Sequence, residues 1–219
     1  MIGKRGIIGV ASLILAALVV YLSPIACSQE VPDDADILIG AMDVEQGDWV
    51  ADVGSGEGEY TLQMAKAVGD SGRAFAVDIN EHDLEDLNEV IEDRGVENIT
   101  TIFSIYTNPM LPRRTIDAVL IRNAYHEFTA HESMLRHIRA ALKPGGRLVM
   151  AEYIGVDVID DDRDTQVDDH ELAMRYARKE LKQAGFEIAR EVEAIQGDPD
   201  DDYRMWMIVA RRPGGGSGS

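Results

Sequence analysis

The sequence predicts an α/β fold: a doubly wound, mostly parallel sheet closed at its C-terminal end by an antiparallel hairpin. Three observations predict it. Between Asp33 and Arg212, short β-branched runs alternate with longer helical ones, the pattern of βαβ units on a parallel sheet. A Gly-rich loop, Asp52-Val53-Gly54-Ser55-Gly56-Glu57-Gly58, lies between the first strand and the helix after it. The last two strand-like runs, 186–192 and 204–210, are joined by an acidic loop with no helix between them, and such neighbours usually pair antiparallel.

The elements follow in order. Strands are expected over 49–53, 74–79, 100–104, 118–121 and 147–152, with helices over 58–68, 81–94 and 131–142. Lys143-Pro144-Gly145-Gly146 ends the third of these helices after a basic last turn and leads into the next strand. A longer helix is expected over 169–184, ending at Gly185. Residues 33–212 are thus read as one domain, in keeping with a 219-residue chain.

The ends are different in kind. Lys4 and Arg5 precede a stretch that carries no charge from Gly6 to Ala26, so residues 1–30 read as a signal peptide or signal anchor containing an apolar helix. Its apolar centre, 7–22, is long for a cleaved signal and short for a membrane span. In either case the basic N-terminus favours the cytoplasmic side and puts the domain outside, either periplasmic or anchored to the membrane. Cys27 stands where a lipidated cysteine would, but Pro24 occupies the place of the usual Leu-like residue. Residues 213–219, Gly/Ser-rich, read as a flexible tail or a cloning remnant.

Charge excludes one class of partner. Forty acidic residues against 21 basic ones give a net charge of −19, which repels phosphate backbones and leaves nucleic acid an improbable substrate. A single cysteine cannot close an intramolecular disulfide, so the core holds by packing. The acidic runs at 160–164 and 168–171 do not present a metal site, because adjacent acids point in different directions on a regular backbone; no metal is expected.

The Gly-rich loop carries the chemistry. Glycines let backbone N–H groups approach a ligand closely. About twenty positions after Gly58, Asp78 ends the next strand, where its carboxylate can accept hydrogen bonds from ribose hydroxyls. Together they indicate an adenosine-containing cofactor. A dinucleotide fingerprint needs Gly-x-Gly-x-x-Gly, whereas here the third glycine arrives one place early and Glu59 stands in its slot. Asp52 just before the loop also suits a cation better than a pyrophosphate.

With these features the sequence resembles the class I S-adenosylmethionine-dependent methyltransferases over nearly all of 33–212. The matching blocks are 50–58, Ala76-Val77-Asp78-Ile79, Ile116-Asp117-Ala118-Val119-Leu120 and Leu142-Lys143-Pro144-Gly145-Gly146-Arg147-Leu148. The resemblance implies a Rossmann-like, seven-stranded sheet with a reversed final strand. It implies S-adenosylmethionine as cofactor, with Asp52, Gly54, Ser55, Gly56 and Gly58 around the methionine part, Asp78 on the ribose and Ile79 against adenine. Such enzymes often carry an adenine-binding Asp after the third strand; here Tyr106-Thr107-Asn108 stands there, and Thr107 or Asn108 is the expected substitute.

The acceptor side is expected at Arg122-Asn123-Ala124-Tyr125-His126-Glu127-Phe128, after the fourth strand, where open sheets bind ligands. His126 is the first candidate base, with Tyr125 beside it and Asn123 on the cofactor; the competing role is that His126 and Glu127 cap and orient the next helix. Glu152 and Tyr153 form a second polar pair at the end of the fifth strand. No Asn-Pro-Pro-Tyr pattern is present, which argues against amide and adenine amino-group acceptors. The expected activity is methyl transfer to a small molecule. The alternatives are an inactive nucleoside-binding protein of the same fold and, as a minor one, an NAD(P)-dependent oxidoreductase.

Overall fold

The computed structural model describes residues 34–199 and 201–214. The expected leader over residues 1–30, its apolar helix and Cys27 lie outside the described residues, as does most of the Gly/Ser tail. Among the described residues no helix is long and apolar enough to cross a membrane.

The sheet has seven strands: β1 (Trp49–Val53), β2 (Arg73–Asp78), β3 (Ile99–Phe103), β4 (Ile116–Arg122), β5 (Leu142–Gly155), β6 (Glu187–Gln196) and β7 (Tyr203–Arg211). They lie in the order β3-β2-β1-β4-β5-β7-β6. β1 to β5 pair in parallel, and β7 inserts between β5 and β6 antiparallel to both, so it alone is reversed. The expected closing hairpin is therefore present. Chain direction across the sheet switches between β1 and β4: β1 leads outward to β2, and β4 leads the other way to β5. The connections diverge there and leave a crevice at the strand carboxyl ends.

Strands buried on both faces read as continuous apolar runs, and their alternate residues feed two cores. Val119, Ile121, Leu148, Met150, Trp206 and Ile208 face one side, packed on α4 (His131–Ala141) and α6 (Met174–Gln183). Ala118, Leu120, Val149, Ala151, Met205 and Met207 face the other, packed on α1 (Ala35–Met42) and α2 (Glu59–Val68). α3 (Glu81–Arg94) adds Leu84 and Leu87 over Ala76; Asn80 caps its start by accepting the His82 N–H, and Gly95 ends it in the left-handed conformation.

Three regions differ from expectation in a way that bears on the packing. α1 carries no strong pattern in the sequence and was not expected. Residues 142–146 do not form a free turn: Leu142 already pairs with Ile116, and a register shift absorbs Pro144 before Arg147 pairs with Ala118. The helix expected over 169–184 is shortened to α6, and a separate short helix, α5 (Arg163–Asp168), forms just before it where none was expected. The first residues of the expected helix are held by other elements: the Leu172 N–H donates to the Tyr153 carbonyl, and its own carbonyl accepts from Trp206 Nε1 at 2.6 Å. These bonds tie Leu172 to the sheet, so the helix starts only at Met174.

Candidate functional site

The three loop glycines do different jobs. Gly54 has φ +84°, and a Cβ there would fall 2.4 Å from Ala124 Cβ, so glycine lets the β1 loop pass against the β4 loop. Gly58 has φ +80°, and its Cβ would collide with Leu87, which fixes how closely α2 and α3 pack. Gly56 has φ +50° with open space around it, so a side chain there would enter the crevice. The Gly54 and Ser55 N–H groups donate to the Val77 carbonyl, and the Gly56 N–H donates to Asp78 Oδ2 at 2.8 Å. Asp78 Oδ1 accepts from the Asn80 N–H. Asp78 thus orients the loop, and each of its oxygens keeps a lone pair for a further donor.

Two cavities meet over this loop. One, about 340 Å³, is walled by Val53, Val77, Ile79, Ala124, Phe128 and Met134, with Asp78, Asp83, Ser104, Tyr106 and Glu127 among its polar or aromatic edges. The other, about 320 Å³, is lined by Asp52, Ser55, Glu57, Glu59, Tyr60 and Arg122. Gly54, Gly56 and Asn123 belong to both. A larger opening near Gly69, Arg73 and Asn98 lies at the amino ends of β2 and β3, the wrong end of the sheet for a ligand of this fold.

The second cavity is strongly polarised. Asp52 is buried, and burial pushes its carboxyl up to about 7, with the Thr61 hydroxyl bond at 2.8 Å and Arg122 pulling the other way and the charge of Asp78 adding to the rise. Arg122 donates to buried Asp34 at 3.2 Å and to the Tyr153 hydroxyl, and its guanidinium lies over the Tyr60 and Tyr153 rings at 5.2 and 5.6 Å. The Tyr60 hydroxyl also donates to Asp34; burial and that bond keep it protonated. Ser55 Oγ, buried in the same wall, makes no hydrogen bond within the protein.

Behind the β4 loop sits Glu152, fully buried at the carboxyl end of β5. Its Oε1 accepts from the Ala124 and Tyr125 N–H groups at 2.9 and 2.5 Å, and its Oε2 meets His126 Nδ1 at 2.8 Å. Burial pulls the His126 imidazole down, but the hydrogen bond and charge of Glu152 outweigh it and raise it overall. With Nδ1 on Glu152, Nε2 faces Glu127, 3.8 Å from Oε1, and the His170 ring stands edge-on at 5.7 Å.

Of the residues expected at the cofactor, the fold places Asp52, Gly54, Ser55, Gly56, Asp78, Ile79 and Asn123 on the cavity walls. It does not bring all the expected residues there. Gly58 packs α2 on α3. Thr107 is exposed and lines neither cavity; Ser104 and Tyr106 hold the corresponding wall. Tyr125 is fully buried and its hydroxyl donates to Glu180 at 2.8 Å, so it belongs to the core between the β4 loop and α6. His126 is buried beside the crevice but lines neither cavity. Tyr153 meets Arg122 and stacks on Tyr203 at 5.1 Å, while Glu152 faces inward. Sequence reading missed Asp34, which reaches the site from a distant segment, and Tyr60, which lies just past the loop on α2; His170 was weighed only within the 168–171 run and set aside. Arg122 was legible only as part of the β4 motif.

A reversed seventh strand, a loop of alternating glycines and an acid at the end of β2 define a class I methyltransferase domain. A family profile described as a methyltransferase domain matches residues 45–167, more than half of the chain. The chain belongs to this family, the class I S-adenosylmethionine-dependent methyltransferases. It is 33% identical over 111 residues to the ubiquinone/menaquinone biosynthesis C-methyltransferase UbiE of Azotobacter vinelandii, a match spanning 50% of the chain and 44% of that enzyme. The chain therefore spans less than half the length of the curated relatives it matches. Among solved structures it resembles a SAM-dependent methyltransferase from Aquifex aeolicus (TM-score 0.69, 21% identity, 81% of this chain and 89% of that one). It also resembles the [4+2]-cyclase SpnF (TM-score 0.69, 18% identity, 83% and 80%). At those identities the likeness bears on the fold.

Proposed function

We propose that the domain binds S-adenosylmethionine along the two joined cavities and transfers its methyl group to a small organic acceptor seated over the carboxyl ends of β4 and β5. The observation that carries this reading is the join itself. An apolar cavity edged by Asp78 opens, through Gly54, Gly56 and Asn123, into a charged one holding Asp52 and Arg122. A nucleoside with a charged amino-acid tail has that sequence of polarities. A dinucleotide would set phosphates beside Asp52, Glu57 and Glu59, which repel them.

The residues fit the cofactor, and the unpartnered Ser55 hydroxyl and the open space at Gly56 lie where its tail would enter. Bound there, S-adenosylmethionine supplies an electrophilic methyl carbon. Asp78 would accept from the ribose hydroxyls, Ile79 and Phe128 would flank the base, and Asp52 and Ser55 would face the amino-acid tail. Asn123 stands at the junction. His126 offers Nε2 on the acceptor side, a lone pair that takes either a proton or a Lewis acid. The curated relatives' names, C-methyltransferases of ubiquinone/menaquinone biosynthesis, point to a carbon acceptor, and the net charge of −19 disfavours nucleic acid.

Calorimetry tests the reading: S-adenosylmethionine and its demethylated product should both bind, NAD should not, and Asp78→Asn should weaken binding by tenfold or more. A folded protein that binds neither nucleoside would sink it. A second reading, binding without methyl transfer, draws on the [4+2]-cyclase that shares this fold. Release of the demethylated nucleoside in step with a methylated acceptor would exclude it.

A further inference from the structure

The sequence offers acids adjacent to one another as metal ligands, and these diverge. The fold instead takes one residue of the 168–171 run, His170, and sets it beside two residues of the β4 motif. His126, Glu127 and His170 each present one ligand atom, and these atoms lie within 4.8 Å of one another, the only such group of His, Cys, Asp or Glu among the described residues. All five histidines of the chain fall within those residues, so the pairing of His126 with His170 is a selection by the fold.

Three features make this a built arrangement. The first is the donor set, two imidazoles and a carboxylate, which suits zinc and leaves a coordination position open. The second is orientation: His126 Nδ1 is engaged by Glu152, which is itself fixed by two backbone N–H groups, so Nε2 is left as the ligand atom. A carboxylate behind a histidine in this way is the usual support of a metal-bound imidazole, setting its tautomer and raising its basicity. The third is adaptability. His126 is buried and fixed, whereas Glu127 and His170 are exposed, so closing to zinc bond lengths of about 2.0–2.2 Å needs shifts of about 1 Å in the two side chains that are able to move.

We propose that His126 Nε2, Glu127 and His170 form a site for one divalent transition-metal ion, zinc by preference. The ion would tie the loop after β4 to the end of α5 at the edge of the nucleoside cavity, whose wall includes Glu127. The site does not depend on S-adenosylmethionine binding, so the two readings stand or fall separately.

The test uses the full chain, stripped with a chelator and titrated with Zn2+ against a chromophoric competitor, and with Co2+ for its visible absorption. One tightly held Zn2+ per chain is expected, with an intense Co2+ band typical of low-coordinate nitrogen and oxygen ligands. His170→Ala and Glu127→Gln should each weaken Zn2+ binding by at least the roughly 10–100-fold typical of losing a residue that merely supports a ligand, while the circular dichroism stays unchanged because both side chains are exposed. Asp160→Asn, in the acidic run, should leave the affinity unaltered. If the His170 and Glu127 variants hold Zn2+ as well as the parent, the ion is bound elsewhere on the acidic surface and the proposal fails. It fails equally if no Zn2+ is retained.

Discussion

Asp52 ionises at about pH 7 in the folded chain because burial removes water from its carboxylate and the Thr61 hydroxyl restores only one hydrogen bond. Unfolded, it would ionise near 3.8. The folded state thus holds this proton more tightly, and the sign follows: stability falls as pH rises from about 4 to about 7 and is flat above. A shift of this size corresponds to about 4 kcal/mol for the ionised side chain. Asp52→Asn removes the titration, so urea unfolding at pH 5 and pH 7.5 should show a larger loss in the parent than in the variant. Parallel losses would refute the assignment. A cationic ligand favours the ionised carboxylate, so nucleoside binding at pH 6.5 should release a proton, read from calorimetry in two buffers of different ionisation enthalpy. Composition cannot reveal such a group, because the rise comes from neighbours that the fold assembles.

Elements defined by local pattern were legible: the strand–loop–helix at β1 and α2, α3 over its full span, and the β6–β7 hairpin. Those defined by distant partners were not. α1 rests on the sheet through Ala35, Leu38 and Met42, which are too few to betray a helix in the sequence. The segment 169–173 has helical spacing but is captured by Tyr153 and Trp206. The same limit applies to the site. Gly54, Gly56 and Asp78 are local to their strands, whereas His170 reaches His126 only because α5 and α6 fold back over the β4 loop. Tyr125 shows the reverse error, a polar residue in the right motif whose hydroxyl points into the core. There it joins Glu180, which also pairs with Arg163 at 2.8 Å, linking three elements. Tyr125→Phe should therefore cost about 1.5–3 kcal/mol of stability, the value of a hydrogen bond to a charged group, while leaving nucleoside affinity unchanged. A variant of full stability that had lost binding would return Tyr125 to the site.

At the scale of the whole molecule the charge balance sets a further expectation. With 40 acidic and 21 basic residues, and several of the basic groups already engaged in pairs such as Lys143–Asp117 and Arg178–Glu191, the surface is dominated by unbalanced negative charge. Self-repulsion of this kind destabilises the compact state more than the expanded chain, where the same charges lie farther apart. Salt acts on it at long range: the screening length shortens from about 10 Å at 0.1 M to about 3 Å at 1 M. Exposed ion pairs lose strength under the same screening, but each contributes only about 0–1 kcal/mol, and the pairs are few beside the surplus. Repulsion should win. Raising NaCl from 0.05 to 0.5 M at pH 7.5 is expected to lift the melting temperature by several degrees, since about 1 kcal/mol corresponds to 2–4 °C in a chain of this size. A melting temperature that falls with salt would show instead that the specific ion pairs, above all Arg122–Asp34 beneath the charged cavity, outweigh the net charge. The Asp52 experiment separates the two effects, because its pH dependence comes from desolvation and should survive at high salt, where the surface contribution has been screened away.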